Sequence, residues 1–321
     1  MILITGAAGF IGSCLITHLN QLGFADIVVV DEFEKVKKQQ NLIGKKYSKK
    51  VHRTQLFDWL KINGPQIKMV YHLGARTDTT EKNCQIFHQL NLNYSKRIWR
   101  FCVHEQTPLV YASSAATYGL GEYGFKEDLD LLDKLQPLNP YAVSKNDFDI
   151  WALAQTVSPP FWAGLKFFNV YGPNEYHKGR MASVIFHTFQ QIKKTGKMNL
   201  FRSHHPDFKD GEQARDFIYV RDVVQVCTFF MDQQPTSGLY NVGTGQARTF
   251  LDLVNNTFAA LAIPPNIQFI PTPLDIRATY QYYTVADMQK TRQAGYDQPF
   301  YSLEVGVADY VKYYLTKDQY F

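Results

Sequence analysis

The sequence predicts an α/β fold: a Rossmann-like doubly wound parallel sheet followed by a smaller C-terminal α/β domain. Short apolar runs alternate with stretches of helical periodicity through the first half of the chain, and a glycine-rich turn follows the first of these runs. After Pro173 the pattern changes to turn residues and short mixed elements. We therefore place the first domain at 1–170, with returning pieces near 215–244, and the second mainly at 171–321.

The first elements form a β-α-β unit. The apolar run MILIT at 1–5 is typical of a strand that is buried on both faces, and Gly6 ends it. Apolar residues then recur at helical spacing over 11–22, and DIVVVD at 26–31 predicts a second strand that ends in a carboxylate. A helix that connects two parallel strands is the repeating unit of a doubly wound sheet.

The same alternation continues along the chain. Strands are predicted at 67–73, 108–113 and 163–170, and helices near 84–104 and 140–155. In the second half the pattern predicts a helix around 181–195 and a polar loop at 202–214, before the runs at 215–244 that return to the sheet.

Composition and charge exclude several classes of protein. Lys and Arg number 34 and Asp and Glu number 29, and the basic stretch at 35–50 has no nucleic-acid-binding motif, so we expect no nucleic-acid partner. No apolar run approaches the roughly 18 residues that span a bilayer, so we expect no membrane association. The spacing of the four cysteines is not typical of a metal site or of a disulfide framework, so we expect no metal. We expect the thiols to be buried and reduced in a cytoplasmic protein, and they are Cys14, Cys84, Cys102 and Cys227.

The glycine-rich segment GAAGFIG at 6–12 lies between the first strand and the first helix. Glycines allow the backbone to approach a pyrophosphate, and the N–H groups at a helix N-terminus favour an anion. Asp31 comes nineteen residues after the last glycine and can hold a ribose diol. A tight packing turn is the alternative, but the context predicts a dinucleotide site formed by Gly6, Gly9, Phe10, Ile11, Gly12 and Asp31.

The segment YAVSK at 141–145 predicts acid–base chemistry. It follows Pro140 at the start of a predicted helix, so Tyr141 and Lys145 share one face at i, i+4 spacing. A free tyrosine has a pKa near 10, and lowering that pKa to about 7 takes roughly 4 kcal/mol, which one cation at about 4 Å can supply. Lys145, together with a positively charged nicotinamide, is the predicted source. An exposed pair without a catalytic role is the alternative interpretation.

A hydroxyl-rich segment, SSAATYG at 113–119, follows a predicted strand. Ser114 precedes Tyr141 by 27 residues and can share the hydrogen of a substrate alcohol with it, although a serine-capped turn is the alternative. The glycine motif, Ser114 and the YxxxK pair together resemble the extended short-chain dehydrogenase/reductases that act on nucleotide sugars, the NAD-dependent epimerase/dehydratase family. That resemblance covers essentially the whole chain.

Further segments narrow the resemblance to the ADP-heptose 6-epimerases of that family. HKGRMASV at 177–184 is the most specific of them. The others are HLGA at 72–75, SSAATYG at 113–119, FNVYGP at 168–173, RDFIYV at 215–220 and NVGTG at 241–245. The resemblance implies an isomerase that inverts C6 of the heptose in an ADP-heptose substrate, in lipopolysaccharide precursor synthesis.

The same resemblance implies roles for individual residues. A nicotinamide would remove hydride from C6 and return it to the opposite face, while Tyr141 and Lys178 serve as the two acid/base groups. Lys145 would tune Tyr141 and hold the ribose, and Ser114 would hydrogen-bond the oxygen. Cofactor contacts are also implied for Leu73, Gly74, Ala75 and Asn91. The resemblance also implies a homo-oligomer. It implies substrate contacts for Asn169, Lys178, Arg180, His187, Phe201, Arg202, Ser203, His204, Arg215 and Tyr280.

Two choices stay open at this point. The resemblance implies NADP, with Lys38 at the position of a 2′-phosphate contact and Arg53 as a second candidate, but Asp31 and Glu32 would repel that phosphate and Asp31 alone suits the diol of NAD. We favour NADP and keep NAD as the alternative. Arg215 can clamp a diphosphate with its planar fork, or it can form a local ion pair with the adjacent Asp216.

Three other functions are alternatives. A nucleotide-sugar 4,6-dehydratase carries Asp-Glu directly after the hydroxyl residue, whereas Ala115 and Ala116 occupy those positions here. A nucleotide-sugar 4-epimerase uses the same hydride chemistry, and only the 177–184 segment and the substrate residues separate it from a 6-epimerase. A non-catalytic NAD(P)-binding protein would have no reason to keep both Tyr141 and Lys145.

Overall fold

Strands and helices alternate along the chain in the computed structural model, which describes residues 1–277 and 280–321. In chain order the strands are β1 (Ile2–Thr5), β2 (Ile27–Asp31), β3 (Lys49–His52), β4 (Met69–His72), β5 (Leu109–Ser114), β6 (Trp162–Phe167), β7 (Asn169–Tyr171), β8 (Met198–Phe201), β9 (Ala214–Tyr219), β10 (Gly238–Val242), β11 (Ala247–Thr249) and β12 (Ile267–Ile270). The α-helices are α1 (Phe10–Gln21), α2 (Val36–Gln39), α3 (Leu56–Asn63), α4 (Cys84–Phe87), α5 (Tyr94–His104), α6 (Pro140–Leu153), α7 (Val184–Thr195), α8 (Val220–Gln233), α9 (Phe250–Ala260), α10 (Leu274–Arg277), α11 (Gln289–Gln293) and α12 (Leu303–Asp309).

The central element of the described residues is a seven-stranded sheet of order β10-β6-β5-β4-β1-β2-β3. Every pair of neighbours in it is parallel. The chain builds outward from β1 through β2 and β3, then returns to β4 on the other side of β1. The predicted Rossmann-like doubly wound sheet is therefore confirmed, and a crevice opens where the carboxyl ends of β1 and β4 meet.

Helices cover both faces of this sheet, which is why its strands are continuous apolar runs. Ile4 belongs to the core cluster that contains Leu15 of α1 and Val224 of α8. Leu3 points the other way, into the cluster that contains Trp99 of α5 and Phe148 of α6. Alternate strand residues thus enter two separate cores, as a doubly covered parallel sheet requires.

The predicted strand at 163–170 is wrong as a single element, because the chain changes sheets within it. β6 ends at Phe167, the backbone N–H of Phe168 bonds to the Val242 carbonyl at 3.0 Å, and β7 then joins a smaller sheet of order β11-β9-β7. β8 and β12 form a further parallel pair. β10 lies at the edge of the large sheet beside β6. The domain division at residue 170 stays a prediction.

The predicted helical stretch near 84–104 consists of α4, a π-helical segment at His88–Asn93 and α5. The cysteines differ from prediction at one position: Cys84 begins α4 at the surface and is exposed, whereas Cys14, Cys102 and Cys227 are buried. No helix in the described part of the chain is both long and apolar enough to cross a membrane.

Candidate active site

The glycine turn between β1 and α1 is built for close backbone approach. Gly6 has a φ of +68°, and a Cβ atom on it would lie 2.7 Å from the Cα of Gly74 in the loop after β4. A Cβ on Gly12 would lie 2.2 Å from the Gly6 carbonyl oxygen. The N-cap of α1 is Gly9, which has no capping side chain, so the first-turn N–H groups face the crevice as an anion site. This cradle fits a dinucleotide pyrophosphate.

Four charged side chains meet at the carboxyl end of β2, two acidic and two basic. Asp31 is buried, accepts the Ala8 backbone N–H at 2.9 Å and forms an ion pair with Lys38. Glu32 pairs with Arg53 at 3.2 Å. Each carboxylate therefore has its own cation, which reduces the repulsion that Asp31 and Glu32 were expected to exert on a 2′-phosphate.

The loop after β4, which contains Leu73, Gly74 and Ala75, is held at the crevice by side chains beneath it. The Gly74 N–H donates to Thr5 Oγ1 at 3.1 Å. Asn91 accepts the Arg76 N–H at 2.8 Å and donates both to the Arg76 carbonyl at 3.0 Å and to Ser144 Oγ at 2.9 Å. Both N–H groups of the Asn91 amide are thus occupied, so its effect on a cofactor is through the position of this loop.

The start of α6 places Tyr141 and Lys145 against β5. Asn139 caps the helix by accepting the Ala142 N–H at 2.9 Å, and Pro140 occupies the first turn. Tyr141 interacts with Ser114 at the end of β5, and the Ser114 hydroxyl also accepts the Ala116 N–H at 3.1 Å, as the serine cap considered from the sequence would. One turn later, Lys145 Nζ donates to the Ala112 carbonyl at 2.6 Å. The structure thus brings Tyr141, Lys145 and Ser114 together.

Burial dominates the electrostatics of this group. Burial raises the pKa of Tyr141, and the hydrogen bond with Ser114 only partly offsets that effect. Burial also lowers the pKa of Lys145 to about 8, although the Asp149 carboxylate raises it. The chain's own residues do not lower the Tyr141 pKa, because the cost of desolvating a phenolate outweighs the effect of the Ser114 hydroxyl and the Asp149 carboxylate raises the pKa further. The lowering by Lys145 together with a nicotinamide stays a prediction.

Lys178 lies in the segment Tyr176–Met181, which consists of two short 3₁₀ turns separated by a kink at Gly179. Its Nζ is 5.3 Å from the centroid of the Phe10 ring, at the start of α1. Glu175 anchors this segment by accepting the Ser183 hydroxyl at 2.6 Å. Burial lowers the pKa of Lys178, while Glu175 raises it. A lysine with a lowered pKa releases its proton more readily than an exposed one, which suits an acid/base group.

Asn41 connects the Lys178 segment to the glycine turn. Its Nδ2 lies 3.0 Å from the Ala8 carbonyl oxygen, 2.9 Å from the Asn174 carbonyl oxygen and 3.2 Å from His177 Nδ1. Burial, together with the nearby lysines, lowers the pKa of His177 to about 4, so this ring is a neutral neighbour. Asn174 also exchanges two 2.9 Å hydrogen bonds with the backbone of Phe321.

Arg215 forms a second polar centre in the smaller sheet. It is buried and donates to the carbonyls of Ala214 and Gln281. Its guanidinium carbon lies 5.7 Å from the ring centroid of Tyr280, and Tyr280 is in edge contact with Phe201. Burial lowers the pKa of Arg215 to about 10, so the side chain remains a cation.

Asp216 does not pair with Arg215, so the local ion pair considered from the sequence is wrong. Its carboxylate instead accepts the N–H groups of Thr244, Gly245 and Ala286 at 2.7 to 3.0 Å. The guanidinium group of Arg215 therefore binds backbone carbonyls and can also bind a ligand, because no carboxylate of Asp216 occupies it.

The remaining predicted substrate residues are more dispersed. Asn169 is exposed at the start of β7, Arg180 is exposed after Gly179, and His187 is half-buried in α7. Within 1–277 and 280–321, no hydrogen bond joins these three to Arg215. The loop after β8 is nearer to Arg215, because the His204 N–H donates to the Tyr282 hydroxyl at 3.0 Å. In the same loop Arg202 is exposed and Ser203 is half-buried.

Sequence reasoning missed Asn41 and a buried ion pair between Asp149 and Lys166. Lys166 Nζ lies 2.7 Å from Asp149 Oδ2, and both side chains are fully buried. A signal was present, because Lys166 is a charged residue inside an apolar strand, and Asp149 continues the four-residue spacing of Tyr141 and Lys145. Asn41 gave no such signal, since its partners lie as far as 136 positions away in the chain.

Comparison with known proteins identifies relatives over the full length. A family model described as the NAD dependent epimerase/dehydratase family matches residues 2–243. A curated protein from Fusobacterium nucleatum, named ADP-L-glycero-D-manno-heptose-6-epimerase, is 45% identical over 328 residues, which cover 99% of this chain and 99% of that protein.

Solved structures agree with that result. The Helicobacter pylori ADP-L-glycero-D-manno-heptose-6-epimerase superposes with a TM-score of 0.81 at 29% identity, covering 97% of this chain and 95% of the other. MoeE5, solved with UDP-glucuronic acid and NAD, superposes with a TM-score of 0.78 at 25% identity, covering 98% and 99%.

Proposed function

This chain belongs to the NAD dependent epimerase/dehydratase family, and we propose that it converts ADP-D-glycero-β-D-manno-heptose to ADP-L-glycero-β-D-manno-heptose in lipopolysaccharide core precursor synthesis. The observation that carries the proposal is the presence of two separate candidate acid/base groups at the carboxyl end of the central sheet. Tyr141 lies with Ser114 at the end of β5, and Lys178 lies against Phe10. Inversion at an exocyclic carbon needs proton transfer at two oxygen positions, because the intermediate carbonyl must rotate.

In the proposed reaction each side chain has one task. When bound, the nicotinamide supplies a reversible hydride acceptor for C6. Tyr141 transfers the proton of the C6 oxygen in one orientation, with Ser114 hydrogen-bonded to the same oxygen, and Lys178 transfers it in the other. Lys145 holds a positive charge beside Tyr141. Because burial raises the pKa of Tyr141, that charge and the cofactor's charge must together favour the phenolate.

A direct assay tests this function. Purified protein incubated with ADP-D-glycero-β-D-manno-heptose should produce the L-glycero epimer, detected by NMR of the C6 proton. Conversion of UDP-glucose to UDP-galactose instead would favour the 4-epimerase alternative. Binding without turnover of either substrate would favour the non-catalytic alternative. A homo-oligomeric state and a cytoplasmic location remain predictions.

We further propose NADP as the form of the nicotinamide cofactor. The pairing of Asp31 with Lys38 and of Glu32 with Arg53 supports it, because two cations then share the β2 end with the two carboxylates. Mass spectrometry of the denatured, purified protein should detect NADP, and NAD in its place would overturn the assignment. Lys38→Ala should weaken NADP binding more than NAD binding, whereas the exposed neighbour Lys37→Ala should change neither.

A further inference from the structure

Behind Tyr141 and Lys145 lies a buried polar network that the reaction above does not use. Asp149 of α6 accepts Lys166 Nζ of β6 at 2.7 Å, Ser113 Oγ at 2.6 Å and Tyr111 OH at 3.0 Å. Lys166 also donates to Thr117 Oγ1 at 2.8 Å. The ion pair has no exposed surface on either side chain.

The network is attached to the active-site residues through two elements. Tyr141, Lys145 and Asp149 follow one another at four-residue spacing, so they form a single stripe along α6. On β5, Lys145 donates to the carbonyl of Ala112, while the residues on either side of Ala112 bind Asp149 through their side chains. Lys145 and Asp149 therefore hold the same short piece of strand, directly before Ser114.

The far end of the network reaches the turn that carries Ser114. Thr117, the second partner of Lys166, lies in the 3₁₀ helix Ala115–Tyr118, and its hydroxyl also donates to the Ser114 carbonyl at 2.9 Å. The Lys166 ammonium lies 5.1 Å from the ring centroid of Tyr118 in the same turn. Displacement of Lys166 would therefore be transmitted to the backbone that positions Ser114.

Stability alone does not explain a buried ion pair at this place. Removing two charges from water costs about as much as their attraction returns, and apolar side chains of similar volume are often as stabilising. A fixed negative charge one helical turn from Lys145, however, favours the protonated form of that lysine.

We propose that Asp149 and Lys166 are positioning residues for the epimerisation proposed above, on which this inference rests: Asp149 keeps Lys145 protonated, and Lys166 fixes both Asp149 and the Ser114 turn. Neither residue contacts the reacting atoms in this assignment.

The charged and titratable groups around Lys145 support this assignment of roles. From β4, His72 faces Lys145, and burial lowers the pKa of His72 to about 3, so that ring adds no charge at neutral pH. From α6, Tyr141 is neutral, because burial raises its pKa. Among the described residues, Asp149 is the group whose charge raises the pKa of Lys145 against the effect of burial.

The decisive measurement is the titration of Lys145 itself. Protein labelled with ε-¹³C lysine gives one NMR signal for each lysine, and Lys145→Met identifies the signal of Lys145 by its loss. Asp149→Asn removes the negative charge with little change in shape, so Lys145 should titrate at least about one pH unit lower than in the unaltered protein. Because this measurement needs no substrate, it does not depend on turnover.

A second variant covers the case in which Asp149→Asn fails to fold around an unpaired Lys166. Asp149→Asn/Lys166→Met replaces the ion pair by a neutral pair, and Lys145 should again titrate at lower pH. Lys166→Arg and Thr117→Val keep the carboxylate and should leave the Lys145 titration unchanged. The proposal is overturned if folded Asp149→Asn or the double variant titrates at the wild-type pH.

The two proposals can fail separately. If the unaltered protein epimerises ADP-heptose but Lys145 titrates at the same pH in Asp149→Asn as in the unaltered protein, only the network inference is wrong. If the titration moves as expected but the protein turns over no ADP-heptose, the proposed function is wrong. Where both hold, the pH at which kcat falls on the alkaline side should be lower in Asp149→Asn than in Lys166→Arg.

Discussion

The two proposed acid/base groups occupy contrasting parts of the molecule. Tyr141 lies on a fourteen-residue helix packed on the central sheet, and the residues below it form a closed, buried network. Lys178 lies in the first of two short 3₁₀ turns, which a kink at exposed Gly179 separates. The first position is set by regular secondary structure, and the second by side-chain contacts from distant segments.

The contacts that hold Lys178 come from both ends of the chain. Asn41 bonds to the carbonyl of Asn174, and the Tyr176 hydroxyl donates to the Gln319 carbonyl at 2.7 Å. The position of Lys178 therefore depends on contacts between segments that are far apart in the sequence, whereas the position of Tyr141 depends on one helix packed on a sheet.

The largest expected effect is on the tyrosine side. Tyr141→Phe removes the transferring hydroxyl but little volume, so kcat should fall by at least about 100-fold while NADP affinity and thermal stability stay close to wild type. Steady-state kinetics with ADP-heptose, together with a thermal melt, checks this. Tyr123→Phe, at an exposed tyrosine, is the control. Near-normal turnover by Tyr141→Phe would refute the proposed role of Tyr141.

A comparable loss is expected on the lysine side. Lys178→Met should also reduce interconversion by about 100-fold, because Tyr141 cannot reach both oxygen positions. Substrate and cofactor affinities, measured by calorimetry, should be retained, and exposed Lys194→Met should behave as wild type. If Lys178→Met epimerises within about threefold of wild type, a mechanism with Tyr141 alone is preferred.

A smaller effect tests how tightly the sheet side is packed. His72 bridges Thr5 Oγ1 and Ser95 Oγ at 2.7 and 2.8 Å, and burial lowers its pKa to about 3. Below pH 6.5 His72 binds a proton in the unfolded chain but stays neutral in the native state. The free energy of unfolding therefore falls as the pH falls, and the contribution of His72 to this loss is about 2 kcal/mol at pH 5.

Urea unfolding at pH 7 and pH 5 measures this contribution. His72→Gln should lose less stability than wild type between the two pH values, whereas His104→Gln, at an exposed histidine, should lose the same amount as wild type. Equal losses in wild type and His72→Gln would mean that the native state accommodates a charged His72.

The smallest effect concerns the backbone beside Lys178. Gly179 has φ +55° and ψ −128°, and a Cβ there would meet nothing within 4 Å. Gly179→Ala should therefore cost about 1 kcal/mol of stability through backbone strain and lower kcat several-fold. Gly196→Ala, at φ +70° with equally open space, should cost similar stability without affecting kcat. Equal kcat values for the two variants would show that the lysine side tolerates distortion.

The same contrast explains what could be predicted from the sequence. The inner strands β1, β2, β4 and β5, the helix α6 and the Tyr141–Lys145 pair follow from local periodicity, which is visible in a single sequence. The position of Lys178 rests on contacts such as that of Asn174 with Phe321, 147 positions apart, so only family resemblance pointed to it. The direction in which the chain's own residues shift the Tyr141 pKa depends on burial, which a single sequence does not give.

The strand β10 has a consequence for dividing the molecule into parts. It covers the edge of β6, whose six residues are all buried, and its Asn241 accepts Tyr118 OH at 2.7 Å and donates to the Phe125 carbonyl. A fragment that stops near residue 170 would expose β6 as an apolar edge ready to pair with other chains. The nucleotide-binding half is therefore a poor candidate for separate expression, since its last strand is supplied from beyond residue 230.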